Sequence, residues 1–406
     1  MHNLYAKPQR ILLVFFLIAC LFPWVSFGLN TMDTQPWALV FSTFYVILIL
    51  MFYKINSAVF MIIPAGLLVV TSSILASVLY YATFTLDFSF LRGVSSYLTF
   101  IFIFVAYYFA YKRYGFQKNV FYVANSIWLF IGAVQIFIDP YIFDSLVQVR
   151  TSESRGVTGL SPEPTFYGFF LFFLNFIYLI EFNYKLNGFV KKLFILNVVF
   201  IFFVAQSSSV IFLLFVGIIF VLFNRANLIA LVTMSLILVL LIFGLDYFSP
   251  NSRLITILSL LYEGGPLYLL SIDESVFARI MSILYPYYWG WQNYLIPGGF
   301  DSIGSLPAVQ ITLSDHSFTY DVQSKIMSYF GSIFYELGIF SMLVVFFFFK
   351  CIYDKTFKSI LEFLYLFFCL QFALTVAFSL IPILLVTFYF RKNINLTNGA
   401  AFYVQR

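Results

Sequence analysis

The chain has 406 residues, 62% of them hydrophobic and only 10% charged, with 57 Phe and 29 Tyr. A mean hydropathy of +0.97 excludes an ordinary soluble domain, in which about 45–50% of residues are apolar. The net charge of +5 says little by itself; its distribution says more, and no nucleic-acid partner is expected.

In chain order, Met1–Arg10 is a short basic start, and the apolar run behind it reads as a retained first span rather than a cleaved leader. A bilayer crossing takes roughly 17–25 mostly apolar residues. Such runs fall near 11–28, 36–53, 57–82, 94–111, 119–138, 165–182, 193–207, 209–223, 228–245, 331–349, 359–376 and 378–390. Gln206–Ser209 marks a tight turn between two of them, and the last two are short enough to be one long broken helix. The expected fold class is all-α: a polytopic integral membrane bundle of about twelve helices, one domain over 1–406.

Of the 22 Lys and Arg residues, sixteen fall on one side of this topology and six on the other. Basic residues accumulate on the cytoplasmic side, so both termini are expected there. Two exterior segments are then long, 139–164 and 246–330, and the larger holds short helices. Arg253–Tyr262 and Ser275–Tyr285 read as amphipathic helices lying on the membrane or capping the bundle. Cys20, Cys351 and Cys369 suggest no disulfide framework, and no Cys/His cluster suggests a metal.

The stretch Arg150–Gly168 packs two arginines, two glutamates and two prolines against the start of a long apolar helix. Ser161-Pro162-Glu163-Pro164 has the grammar of a helix start: Ser as N-cap, Pro in the first turn, an acid beside it. A helix N-terminus near Arg150 or Arg155 attracts an anion, phosphate above all. Gly156 and Gly159 permit close backbone approach. The plainer reading is that Glu163 complements the helix dipole and the arginines snorkel to lipid phosphates. Arg279 sits among apolar neighbours, an expensive place for a charge. The aromatic run around Tyr288 and Trp289 suits sugar stacking or ordinary interfacial anchoring. His316, beside Asp315, has the chemistry of a general base or is a solvated loop residue. Glu336, in Tyr335-Glu336-Leu337-Gly338, puts a carboxylate in a membrane helix. No phosphate-binding GxxxxGK[ST] loop and no HExxH motif occurs.

The span pattern, the arginine-bearing exterior segments, Arg155–Gly168, Arg279 with Pro297–Gly304, and the Tyr335–Gly338 helix resemble the O-antigen/polysaccharide polymerases of the Wzy type, related to the O-antigen ligases. The resemblance implies a multi-pass protein of the bacterial inner membrane that moves undecaprenyl-diphosphate-linked oligosaccharide onto a sugar hydroxyl of another lipid-linked repeat. It implies no cofactor and no metal, with the lipid bilayer and a chain-length regulator as partners. Arg155 and Arg279 would hold the diphosphate, Glu163 or His316 would serve the attacking hydroxyl, and Arg150, Tyr167, Tyr288, Trp289 and Glu336 would bind substrate. Relatives often carry Ser-Arg after the seventh span, where this chain has Ser207-Ser208-Ser209. The rival readings are an O-antigen ligase, which would need His316, and a lipid-linked oligosaccharide flippase or transporter.

Overall fold

Long runs of Phe, Leu, Ile and Val become helices in hydrocarbon because each backbone N–H and C=O must find its partner within the segment. The computed structural model describes residues 6–26, 34–52, 57–81, 88–147, 149–150, 156–225, 253–300, 302–306, 309–313, 316–320, 326–372 and 374–404. The first half holds α1 (Ala6–Leu21), α2 (Trp37–Phe52), α3 (Ser57–Phe60), α4 (Ile62–Tyr81), α5 (Phe88–Tyr114), α6 (Lys118–Phe137), α7 (Pro164–Glu181), α8 (Gly188–Phe200) and α9 (Ser208–Arg225). The second half holds α10 (Arg253–Ile272), α11 (Glu274–Gln292), strands β1 (Val309–Leu313) and β2 (His316–Tyr320), α12 (Tyr329–Leu337), α13 (Ser341–Ile352), α14 (Phe357–Cys369) and α15 (Leu380–Val404).

Among the described residues, six segments are long and apolar enough to cross a membrane: Ile62–Tyr80, Phe90–Tyr114, Lys118–Phe137, Pro164–Glu181, Gly188–Ala205 and Tyr329–Ile352. Shorter apolar helices at Gln9–Leu21, Trp37–Met51 and Ser208–Gly217 pack alongside. The chain is therefore a membrane-embedded helix bundle. The expected run at 228–245 lies outside the described residues.

Several local expectations are revised. The stretch 359–390 is not one broken helix: α14 stops at Cys369, and α15 runs back from Leu380 so that Glu362 meets Arg391. The two helices expected in the larger exterior segment are longer than their amphipathic cores. α10 bends at Gly265 (φ 76) yet resumes, and α11 continues through Pro286 to Gln292. His316 belongs to a two-stranded antiparallel hairpin, opposite Leu313, rather than to a loop. The N-cap of α7 is Glu163, not Ser161, and Pro164 opens the helix. A residue before proline is pushed to extended backbone, and Glu163 sits at φ −139, ψ 151.

The core is aromatic. Trp128 donates its indole N–H to the Leu21 carbonyl (2.9 Å), stacks on Tyr167 (5.7 Å) and packs tilted against Phe170 (4.3 Å). One end of the bundle collects charge. Arg391 donates twice to Glu362, Tyr184 Oη reaches Glu362 Oε1 at 2.7 Å, and Lys358 lies 4.0 Å from the centre of the Tyr184 ring. Arg113 bonds Gln9 (2.7 Å) and Lys392 bonds the Lys350 carbonyl (3.0 Å) at positions the sequence puts on that same face.

Candidate functional site

The opposite end holds a cavity of about 510 Å³, within the range of small-molecule sites. Its walls come from segments far apart in sequence: Pro23 and Trp24, Thr34–Pro36, Arg92, Gly93, Ser95, Ser96 and Thr99 of α5, Arg150 with Glu163, Ser332 and Glu336 of α12, and Leu374–Phe378 between α14 and α15. Each is tied down locally. Gln35 N–H donates to the Pro23 carbonyl (2.8 Å), and Arg150 N–H to the Pro162 carbonyl (2.7 Å) at the entrance to α7. α12 is capped by Ser328, whose hydroxyl accepts from Gly331 N–H at 3.0 Å, and ends at Gly338. Gly338 has φ +52, and a Cβ there would lie 2.2 Å from the Leu295 carbonyl oxygen. Only glycine fits such a left-handed, crowded position. The contact fastens α12 to the segment following α11.

Among the described residues, Glu163 and Glu336 and the guanidiniums of Arg92 and Arg150 line the cavity. Arg150 and Glu163 approach to 3.9 Å with side chains 45% and 21% exposed, a contact of a kind worth at most about 1 kcal/mol. It therefore orients Glu163 more than it stabilises the fold. Glu336 is buried; Tyr97 Oη donates to its Oε2 at 2.6 Å, and Ser73 Oγ donates to its main-chain carbonyl at 2.6 Å. Phe300 braces the Tyr97 ring edge-on at 5.2 Å. Trp24, 5.8 Å from both Phe166 and Phe378, forms an aromatic wall. Hydroxyls of Ser95, Ser96 and Thr99 donate to carbonyls of their own helix, so their lone pairs face the surroundings as acceptors. Mixed donors, acceptors and ring faces suit a polyhydroxylated ligand better than a bare ion.

Arg279 does not line this cavity. Its Nη1 donates to Ser209 Oγ at 2.8 Å and its Nη2 to Thr165 Oγ1 at 3.4 Å, on the first turn of α7. Thr165 is the neighbour of Phe166, which does line the cavity. The turn that receives Arg279 is built by a π-helical stretch, Ile201–Ala205, ending at Gln206 with φ 48. Gly156 packs beneath it: a Cβ at 156 would fall 2.3 Å from the Val204 carbonyl oxygen, and Val157 N–H donates to that oxygen at 3.0 Å. The close backbone approach expected of Gly156 is thus to a neighbouring helix end.

Of the other residues singled out from sequence, Arg155 and Asp315 lie outside the described residues. Tyr167 does not line the cavity; it is buried, with Oη donating to the Trp128 carbonyl at 2.9 Å. Tyr288 is 55% exposed on α11, whereas Trp289 is half-buried against Tyr285. His316 sits in the hairpin. Sequence reasoning passed over Arg92 and Tyr97 as site residues. A signal was present: Arg92, Ser95, Ser96 and Thr99 repeat at helical spacing on an otherwise apolar helix.

Tyr97→Phe removes a buried hydrogen bond to the Glu336 carboxyl group, worth about 0.5–1.5 kcal/mol, and is expected to lower the melting temperature in detergent. A double-mutant cycle with Glu336→Gln checks this, with an expected coupling of about 0.5–3 kcal/mol; strictly additive effects would dissolve the pair.

No protein-family model, no curated protein and no solved structure matches the chain.

Proposed function

We propose that this chain is a polysaccharide polymerase of the Wzy type, a multi-pass glycosyltransferase of the bacterial inner membrane with about twelve spans and both termini in the cytoplasm. The observation that carries this reading is the meeting of two exterior segments at one helix N-terminus. Arg279, from the larger segment, bonds Thr165, while Arg150 and Glu163, from the smaller, stand at the same helix start.

In the reaction, a hydroxyl oxygen of the acceptor repeat attacks the anomeric carbon of the donor. The carbon–oxygen bond to the undecaprenyl diphosphate breaks, and the lipid diphosphate leaves with the electron pair. Arg279 and Arg155 stabilise that charge, since a guanidinium offers a rigid fork and never loses its proton. The N-terminus of α7 adds its dipole. Glu163 takes the hydroxyl proton or positions the hydroxyl, with His316 the alternative base. Arg150 and Glu336 hold acceptor sugar in the cavity, and Tyr288 and Trp289 stack on sugar rings. The reaction requires no metal or cofactor, and a chain-length regulator is the expected protein partner.

Deletion of the gene followed by gel analysis of lipopolysaccharide or capsule tests the reading. A single repeat capped on core is the expected phenotype. Free lipid-linked polymer would indicate a ligase, and intermediates trapped on the cytoplasmic face a flippase.

A further inference from the structure

Apart from the polar cavity, an apolar trough of about 580 Å³ opens between α9, α11 and α14. Val216, Ile283, Leu284, Phe367 and Phe368 line it, with Tyr287 and Gln371 joined by a hydrogen bond of 2.8 Å. Gln371 also accepts from Ser328 (3.4 Å), next to Met327 of the polar cavity, so this relay is the partition between the two hollows. α9 and α14 touch along one edge of the trough, where Tyr365 Oη donates to the Leu213 carbonyl at 2.8 Å and Gly217 leaves room for the Tyr365 ring.

Arg279 and Ile283 are four residues apart on α11 and share one face of it. Along the axis they are about 6 Å apart, so Arg279, bonded to Ser209 at the start of α9, lies one helical turn from the trough lined by Ile283 of α11 and Val216 of α9. Nearby, Ser207 buries a hydroxyl with no hydrogen-bond partner among the described residues. A cation, hydroxyls and a helix N-terminus beside one narrow apolar trough match an amphiphile with an anionic head and a single tail. A two-tailed phospholipid fits a single trough poorly.

Resting on the function proposed above, we infer that this trough seats the first isoprene units of the donor lipid while Arg279 holds its diphosphate. The tail then fixes the depth of the anomeric carbon, and the sugar passes over the Tyr287–Gln371 partition into the polar cavity.

The test uses full-length protein in proteoliposomes with two donors carrying the source cell's own repeat. One bears the undecaprenyl tail and the other a single prenyl unit. The wild type is expected to prefer the long tail by about tenfold or more in kcat/KM, the scale on which buried methylenes discriminate. Ile283→Trp, which fills the trough, should collapse that preference, and Leu258→Trp, at an exposed position of α10 outside the trough, should keep it. An Ile283→Trp protein that keeps the wild-type preference for the long tail overturns the inference, as does a wild type indifferent to tail length. So does competition by excess phosphatidylglycerol that erases the preference, which would mean that ordinary acyl chains fill the trough. A wild type that elongates neither donor instead overturns the polymerase reading itself. Because Ile283→Trp must fold for its ratio to be read, Val216→Trp from the opposite wall is assayed beside it, with melting curves for each.

Discussion

Arg279→Ala is expected to abolish chain elongation while the protein stays in the membrane at near wild-type abundance. Removing one donor that stabilises a developing oxyanion typically costs about 10²–10³ in rate. Arg279 is anchored through Ser209 and Thr165, so its guanidinium arrives already oriented. Arg279→Lys keeps the charge but not the planar fork, and should recover only a small part of the loss. Ser209→Ala removes one orienting hydrogen bond and should cost far less than Arg279→Ala. The measurements are the length of the polysaccharide ladder on gels and the immunoblotted protein level in membranes. A full ladder from the Arg279→Ala strain would remove Arg279 from the mechanism.

The second large effect lies at the other end of the bundle and concerns stability. Glu362 and Arg391 are only 7% and 9% exposed, and they join α14 to α15 with Tyr184 as a third member. Burial, and then the neighbouring Glu362 charge, push the Tyr184 phenol well above its ordinary range. It therefore remains a neutral donor at every working pH. Glu362→Ala strands a buried guanidinium, a change that costs about 3–5 kcal/mol in comparable sites. The variant is expected to lose most of its yield and to melt markedly earlier in detergent. The double variant Glu362→Leu/Arg391→Met should regain much of that loss, because replacing both members of a buried pair with apolar groups is often neutral. Thermal denaturation of the three proteins decides it: if the double variant is no better than Glu362→Ala, the stranded charge is not the cause.

These two sites were legible in the sequence to different degrees. Arg279 was conspicuous because a charge among apolar neighbours is costly, yet nothing in its own segment indicates Thr165 and Ser209 as its partners. Glu362 was visible as a carboxylate in an apolar run, but Arg391 read as one more basic residue flanking a span. Arg92 and Tyr97 escaped notice as site residues because their significance depends on Glu163 and Glu336 arriving at the same hollow. Tyr167 is a substrate contact only by the resemblance carried on Arg155–Gly168. A helix turns about 100° per residue, and at that position it points into the Trp128 core.

The sequence by itself determined the solvent of this protein and most of its helices. Hydrocarbon leaves the backbone no partners except its own, so apolar run length decides where helices form. It also grouped the basic residues by side, since every crossing alternates sides: Arg113, Lys350, Arg391 and Lys392 gather at one end, where Tyr111 stacks on Phe390 and Lys392 bonds the Lys350 carbonyl. Only the tertiary structure decided the cavity, the Tyr97–Glu336 pair and the anchoring of Arg279. Those depend on helix rotation and on which helices are neighbours. In a chain so uniformly apolar, rotation is set by small steric facts such as Gly338 against Leu295 and Gly156 against Val204, which no hydropathy pattern encodes.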